Sequence, residues 1–233
     1  MKFRNILIAG LGLSAVITLA VGLSTGLGGD TAADAAATAG PAKTEPPAQT
    51  ASDATTVALG EVKPADHVLG DPDAPVTMIE YASMTCPHCA TFHQETLPKL
   101  KENFIEPGRV KLVFRHYPLD QRAMRASLLA ECFEGKRFFS MLDILFKQQQ
   151  GWARADNPDQ HFRKLAGMAG LDGDTVNGCL NDDSTRDNIL RRQLKARRDA
   201  DVRSTPSFLI DGETVAGNPG YEALAKKLRN AGA

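Results

Sequence analysis

Cys86 and Cys89, separated only by Pro87 and His88, are the residues of this chain best suited to carry chemistry. Two thiols at that spacing can close a disulfide and reopen it by thiolate attack, one sulfur acting as nucleophile and the other resolving the intermediate. Other uses of C-x-x-C fit less well. Covalent haem attachment needs a histidine directly after the second cysteine, and position 90 is alanine. Structural zinc needs four ligands, but Cys132 and Cys179 stand far apart in sequence, so zinc would have to recruit His88 or His93. A local disulfide with a purely structural role is the plainest alternative.

The acidity that exchange requires depends on the elements around the pair. Val76-Thr-Met-Ile-Glu-Tyr81 is short, apolar and partly β-branched, as a strand requires, and the following stretch from Pro87 carries Cys89, Phe92, Leu97 and Leu100 as its apolar face. Cys86 then falls at the N-cap, with Pro87 at the first helical position, where a missing N–H costs nothing. The unpaired N–H groups of His88 and Cys89, with the positive end of the helix dipole, favour Cys86 as a thiolate. The His88 side chain can add a hydrogen bond or a positive charge. Cys89 lies one turn in and is more sheltered. Cys86 is therefore the expected attacker and Cys89 the resolving thiol. Glu80, in the strand before them, is buried if the sheet is covered on both faces; otherwise it ends the strand and points to solvent.

Pro98 should kink or interrupt the helix, and Glu106-Pro-Gly108 closes it before a second strand over residues 110–117, completing a β-α-β unit. From about 119 to 200 the pattern is helical only, with segments expected over 121–133 and 136–148, after Asn157-Pro158, around Cys179, and over 186–200. A hairpin follows, residues 207–210 and 213–216 about Asp211-Gly212, and then a closing helix over 221–229. Thr205-Pro206 opens that hairpin, where a proline's missing donor is tolerated, and on the residues alone the bond is expected to be trans.

Length and composition suit one medium domain once the N-terminal region is set aside, and the net charge of −1 gives no field that would gather nucleic acid. Lys2 and Arg4 precede an uncharged stretch whose apolar core is residues 6–23, so residues 1–29 read as an export segment. Small-residue triplets near Ala33-Asp-Ala35 favour a cleaved signal peptide over a retained N-terminal membrane anchor. Residues 30–63 are rich in Ala, Thr and Pro and read as a disordered linker, too poor in apolar residues to form a dimerisation domain. The domain proper is expected over 64–233, exported to the periplasm and monomeric.

Taken together, C-P-H-C after a strand that carries an acid, a helical insertion, and Ser-Thr-Pro-Ser-Phe before a hairpin resemble the DsbA-like branch of thioredoxin-fold oxidoreductases. That resemblance implies a thioredoxin fold, a central mixed sheet flanked by helices, with an all-helical insertion at about 119–200. It further implies that Cys86 is the exposed nucleophile and Cys89 its buried partner. Thr205-Pro206 would be a cis peptide that faces them and pairs with an extended substrate backbone. Glu80 would be the buried acid that moves a proton to or from Cys89. No cofactor is needed.

Cys132 and Cys179 lie inside the insertion and are absent from the simplest members of that family. In an oxidising compartment an even cysteine count favours a second, structural disulfide, the alternative being two buried thiols. His93 and His116 stand in no metal-ligand spacing and read as structural. The basic run from Arg186 to Arg203 reads as a solvated helix face opposite a buried stripe of Ile189, Leu190 and Leu194. The expected activity is disulfide donation to cysteine-containing exported proteins, with a redox partner in the membrane or in solution restoring the site. A reductase or isomerase would use the same cysteines, and a Cys/His metal carrier lacks a clear fourth ligand.

Overall fold

The computed structural model describes residues 60–233. The expected export segment over 1–29 and the expected linker over 30–63, apart from its end at 60–63, lie outside the described residues. That end already belongs to the folded body: Val62 packs on the sheet, and the Glu61 carbonyl accepts a hydrogen bond from Arg115 Nη2 at 2.8 Å. Among the described residues no helix is long and apolar enough to cross a membrane.

Among the described residues five strands form one mixed sheet in the order β1-β3-β2-β4-β5. They are β1 (His67–Leu69), β2 (Val76–Ala82), β3 (Val110–His116), β4 (Ser207–Ile210) and β5 (Glu213–Ala216). β2 runs parallel to β3 and antiparallel to β4, which makes it the central strand. Both its faces are covered, so only Thr77 of its residues escapes full burial, and the register sets Glu80 beside Phe114 and Phe208. β1 was not legible in the sequence because three residues are too few to show an alternation. It is held by the His67 ring, stacked on Phe138 with centroids 3.4 Å apart. Gly70 then turns the chain at φ +101°, where a Cβ would lie 2.6 Å from Ile105 Cγ2.

After β2 the chain is continuously helical: α1 (Pro87–Thr91), a π-helical segment (Phe92–Thr96), α2 (Leu97–Leu100) and a second π-helical segment (Lys101–Ile105). The interruption expected at Pro98 takes this form. Proline has no N–H for the preceding turn, and wide turns absorb the misfit, as where Leu97 N–H reaches back to Phe92 O. This run and the closing helix, α9 (Tyr221–Asn230), pack on one face of the sheet through Phe92, Leu100, Phe104, Phe208, Leu224 and Leu228.

The insertion between β3 and β4 is all helical: α3 (Gln121–Ala130), α4 (Gly135–Lys147), α5 (Gln149–Ala153), α6 (Pro158–Met168), α7 (Gly173–Leu180) and α8 (Asp183–Asp199). Asp120, Asn157, Asp172 and Asp182 cap four of these by accepting backbone N–H groups, each cap contributing about 1 kcal/mol. Phe138, Leu142, Phe146, Trp152 and Phe162 form the core, and the Trp152 indole N–H is satisfied by Leu145 O at 2.8 Å. In α8 only Ile189 and Ala196 are buried, whereas Leu190 and Leu194 are 41% and 65% exposed. At 100° per residue the two leucines fall to one side of the Ile189–Ala196 line, which corrects the wider apolar stripe expected from sequence.

Candidate active site

The turn from β2 into α1 fixes the two sulfurs. Cys86 N–H closes the turn on Ser83 O at 3.1 Å, and Thr85 Oγ1 donates to Asp120 Oδ2 at 2.5 Å. Gln149 Nε2 donates to the carbonyls of Met84 and Cys86 at 2.8 and 2.9 Å. The helical insertion thus grips the turn from the start of α3 and from α5. Cys86 occupies the N-cap with extended backbone, φ −76° and ψ 119°, and Pro87 begins the helix, as the spacing requires.

Both cysteines are free thiols, and their surroundings differ sharply. Cys86 is 7% exposed and Cys89 is 0% exposed, so the nucleophile expected to be exposed is largely covered. Its cover is the loop before β4, because Cys86 Sγ–H donates to Thr205 O at 3.1 Å. Cys86 titrates at about 5, well below an ordinary thiol. The chief cause is the Cys89 thiol, which donates to the Cys86 sulfur when that sulfur is a thiolate; burial works against it, and the Thr205 side chain and the N–H groups of Cys89 and His88 assist. The residues alone point to the helix end and His88; in the structure the partner sulfur leads, and His88 contributes through its backbone while its ring is exposed. Cys89 is pushed far upward by burial, by its bond to Cys86 and by the charge of Glu80.

Thr205-Pro206 is a cis peptide. Its loop is pinned by Tyr117 Oη–H to Val202 O at 2.9 Å, Ser207 Oγ–H to Ser204 O at 2.7 Å, and Gly217 N–H to Pro206 O at 2.8 Å. Thr205 Oγ1 is buried with no hydrogen-bond partner.

Glu80 is fully buried rather than facing solvent, and its Oε2 pairs with His93 Nε2 at 3.1 Å. His93 was expected to be an ordinary structural residue. The first π-helical segment instead brings its ring between Glu80 and Asp143, 3.6 Å from Asp143 Oδ1. Burial alone would lower its pKa, but the two carboxylates outweigh burial and hold it at about 9. His116 of β3 lies 3.2 Å from Glu131, which His67 of β1 meets at 3.0 Å, so the Glu131 carboxylate ties both strands to the end of α3.

Cys132 and Cys179 are joined as a disulfide that links the end of α3 to α7, with Cα atoms 5.8 Å apart. Gln149, Asp120 and Asp143 were not singled out from sequence. Nothing in a Gln148-Gln-Gln150 run or a helix-cap aspartate marks a tie to a turn tens of residues away. Among the described residues no group of three or more Cys, His, Asp and Glu is arranged to hold a metal ion.

The family model described as Thioredoxin matches residues 62–230. A curated chain of Rickettsia bellii, provisionally named a protein-disulfide oxidoreductase, is 29% identical over 148 residues, 63% of this chain and 57% of that one. The chain thus spans less than two thirds of the length of the first curated relatives it matches. The crystal structure of alpha-DsbA1 from Wolbachia pipientis is similar at 31% identity with a TM-score of 0.70, covering 76% of this chain and 97% of that one. A protein-disulfide isomerase from Novosphingobium aromaticivorans is similar at 25% identity with a TM-score of 0.65, covering 72% and 98%.

Proposed function

The chain belongs to the DsbA-like thiol-disulfide oxidoreductases of the thioredoxin superfamily, and from that premise we propose that it donates the Cys86–Cys89 disulfide to thiol pairs in exported proteins of the periplasm. A client thiolate attacks Cys86 Sγ, the S–S bond breaks, and Cys89 leaves with the electron pair. A second client thiolate then attacks the client sulfur of the mixed disulfide and expels Cys86 as a thiolate. The client gains a disulfide, and two electrons pass to the enzyme. A membrane-bound or soluble partner of unknown identity must remove them, and the enzyme works as a monomer.

The observation that carries this reading is the asymmetry of the sulfurs: Cys86 is held at about 5 and Cys89 is pushed far upward. A sulfur of low pKa is the better leaving group and the more stable thiolate, so the reduced enzyme is favoured and the oxidised one gives its disulfide away. Mixing oxidised protein with a reduced, unfolded client should restore client activity at a rate proportional to enzyme concentration. Failure to pass the disulfide to any dithiol would reject the proposal. The likeness to a named isomerase supports a second reading, in which the reduced enzyme reshuffles wrong disulfides. A client with scrambled disulfides separates the two, since donation leaves it unrepaired.

A further inference from the structure

Glu80 and His93 form a buried pair with an orphan atom at each end. Oε2 of Glu80 and Nε2 of His93 bond to each other at 3.1 Å, while Glu80 Oε1 and His93 Nδ1 are buried without hydrogen-bond partners. Unpartnered polar atoms cost about 1–3 kcal/mol each when buried, so two at the ends of one bonded pair call for an explanation. The surroundings give the pair a direction. Inward, the charge of Glu80 acts on Cys89. Outward, His93 Nδ1 lies 3.6 Å from Asp143 Oδ1, whose side chain is 46% exposed, is held by Lys101 Nζ at 3.2 Å and lines an open surface cleft. Phe92, Phe114 and Phe146 pack on the His93 ring, and the charged groups that face it are Glu80 from β2 and Asp143 from α4, with Lys101 behind the latter.

We propose that His93 and Asp143 are positioning residues that connect Glu80 to solvent and form the proton exit and entry route for Cys89. This deepens the disulfide-exchange reading and rests on it. When Cys89 attacks Cys86 Sγ to resolve a mixed disulfide, its thiol proton passes to Glu80 Oε1. His93 releases its Nδ1 proton to Asp143 and thence to solvent. The S–S bond to the partner breaks, and the partner's sulfur leaves as a thiolate. The pair gains one proton and loses one, changing from carboxylate with imidazolium to carboxylic acid with imidazole. When a client later expels Cys89 as a thiolate, the same steps run backwards and return one proton. Neither state leaves a net charge buried beneath the sulfurs, which is the arrangement low polarity favours.

The test uses the full chain with Asp143→Asn, a half-exposed site, and with His93→Gln. Resolution of a preformed mixed disulfide at Cys86 is timed from pH 5 to 9, alongside the pH midpoint for alkylation of Cys86 in the reduced protein. Each variant should slow resolution by about tenfold near pH 7, a fraction of what positioned acid–base groups contribute, and flatten its pH profile. The alkylation midpoint should stay at the wild-type value. Resolution at the wild-type rate in a folded Asp143→Asn protein would overturn the route. So would slowing matched by a shift of the Cys86 midpoint, since that would be a field effect on the nucleophile. A wild-type protein that forms no mixed disulfide at all would instead reject the exchange reading itself.

Discussion

Cys86 Sγ lies 3.1 Å from the carbonyl oxygen of Thr205, a residue 119 positions further along the chain. The contact brings the loop that opens β4 against the sulfur at the start of α1. The same threonine's buried hydroxyl has no partner while Cys86 is a thiol that donates to the Thr205 carbonyl, and it favours the thiolate once that proton has left.

Thr205→Val removes that hydroxyl and keeps the shape and the carbonyl. The pH midpoint of Cys86 alkylation should rise by about one pH unit, the scale of one hydrogen bond to a charged acceptor. An unchanged midpoint would show that the hydroxyl does not reach the thiolate.

The two sulfurs should be separable by substitution. Cys86→Ser should abolish exchange with a peptide dithiol, whereas Cys89→Ser should accumulate mixed disulfides with clients because nothing resolves them. Rapid and equal alkylation of both thiols in the reduced wild-type protein would contradict these roles.

Stability should depend on pH in a redox-specific way. The folded-state pKa of Cys86 is depressed to about 5 from an ordinary 9.0, so between those values the unfolded chain binds more protons than the folded one. The contribution is therefore present at high pH and lost as pH falls through the folded value. The oxidised protein has no Cys86 thiolate and lacks it. Denaturant unfolding should find the reduced form more stable at pH 7, with the gap narrowing toward pH 5. A gap that does not vary with pH would count against the acidic thiolate.

The bridge between Cys132 and Cys179 closes a loop of 47 residues, which by loop-closure entropy is a stabilisation of about 4 kcal/mol. Replacing both by alanine should lower the melting temperature under oxidising conditions while exchange at Cys86 continues. Loss of exchange with the fold intact would show that the bridge acts on the site directly.

The fold and the site were not equally legible in the sequence. C-P-H-C declared itself because helix capping is local: proline at N1 and cysteine at the N-cap need only neighbours in the chain. β2 was readable because a central strand covered on both faces is a mostly apolar, partly β-branched run, broken here only by Thr77 and Glu80. His93 was not, since its partners come from β2 and α4 and its aim depends on a π-helical turn that no periodicity reveals. Gln149 was hidden for the same reason, its two acceptors lying 65 and 63 residues earlier. The cis bond at Pro206 was expected only through the family resemblance, because the residues alone favour trans.

The central claim is that the Cys86–Cys89 pair is an electron acceptor, and its reduction potential tests that most directly. Equilibration of the protein with glutathione buffers, read by alkylation of the released thiols, gives the value. On the general scale thioredoxin lies at about −270 mV and DsbA at about −120 mV, and the acidic Cys86 predicts a potential toward the upper end. A potential near that of thioredoxin would mean the pair keeps its disulfide, and donation to clients would be contradicted.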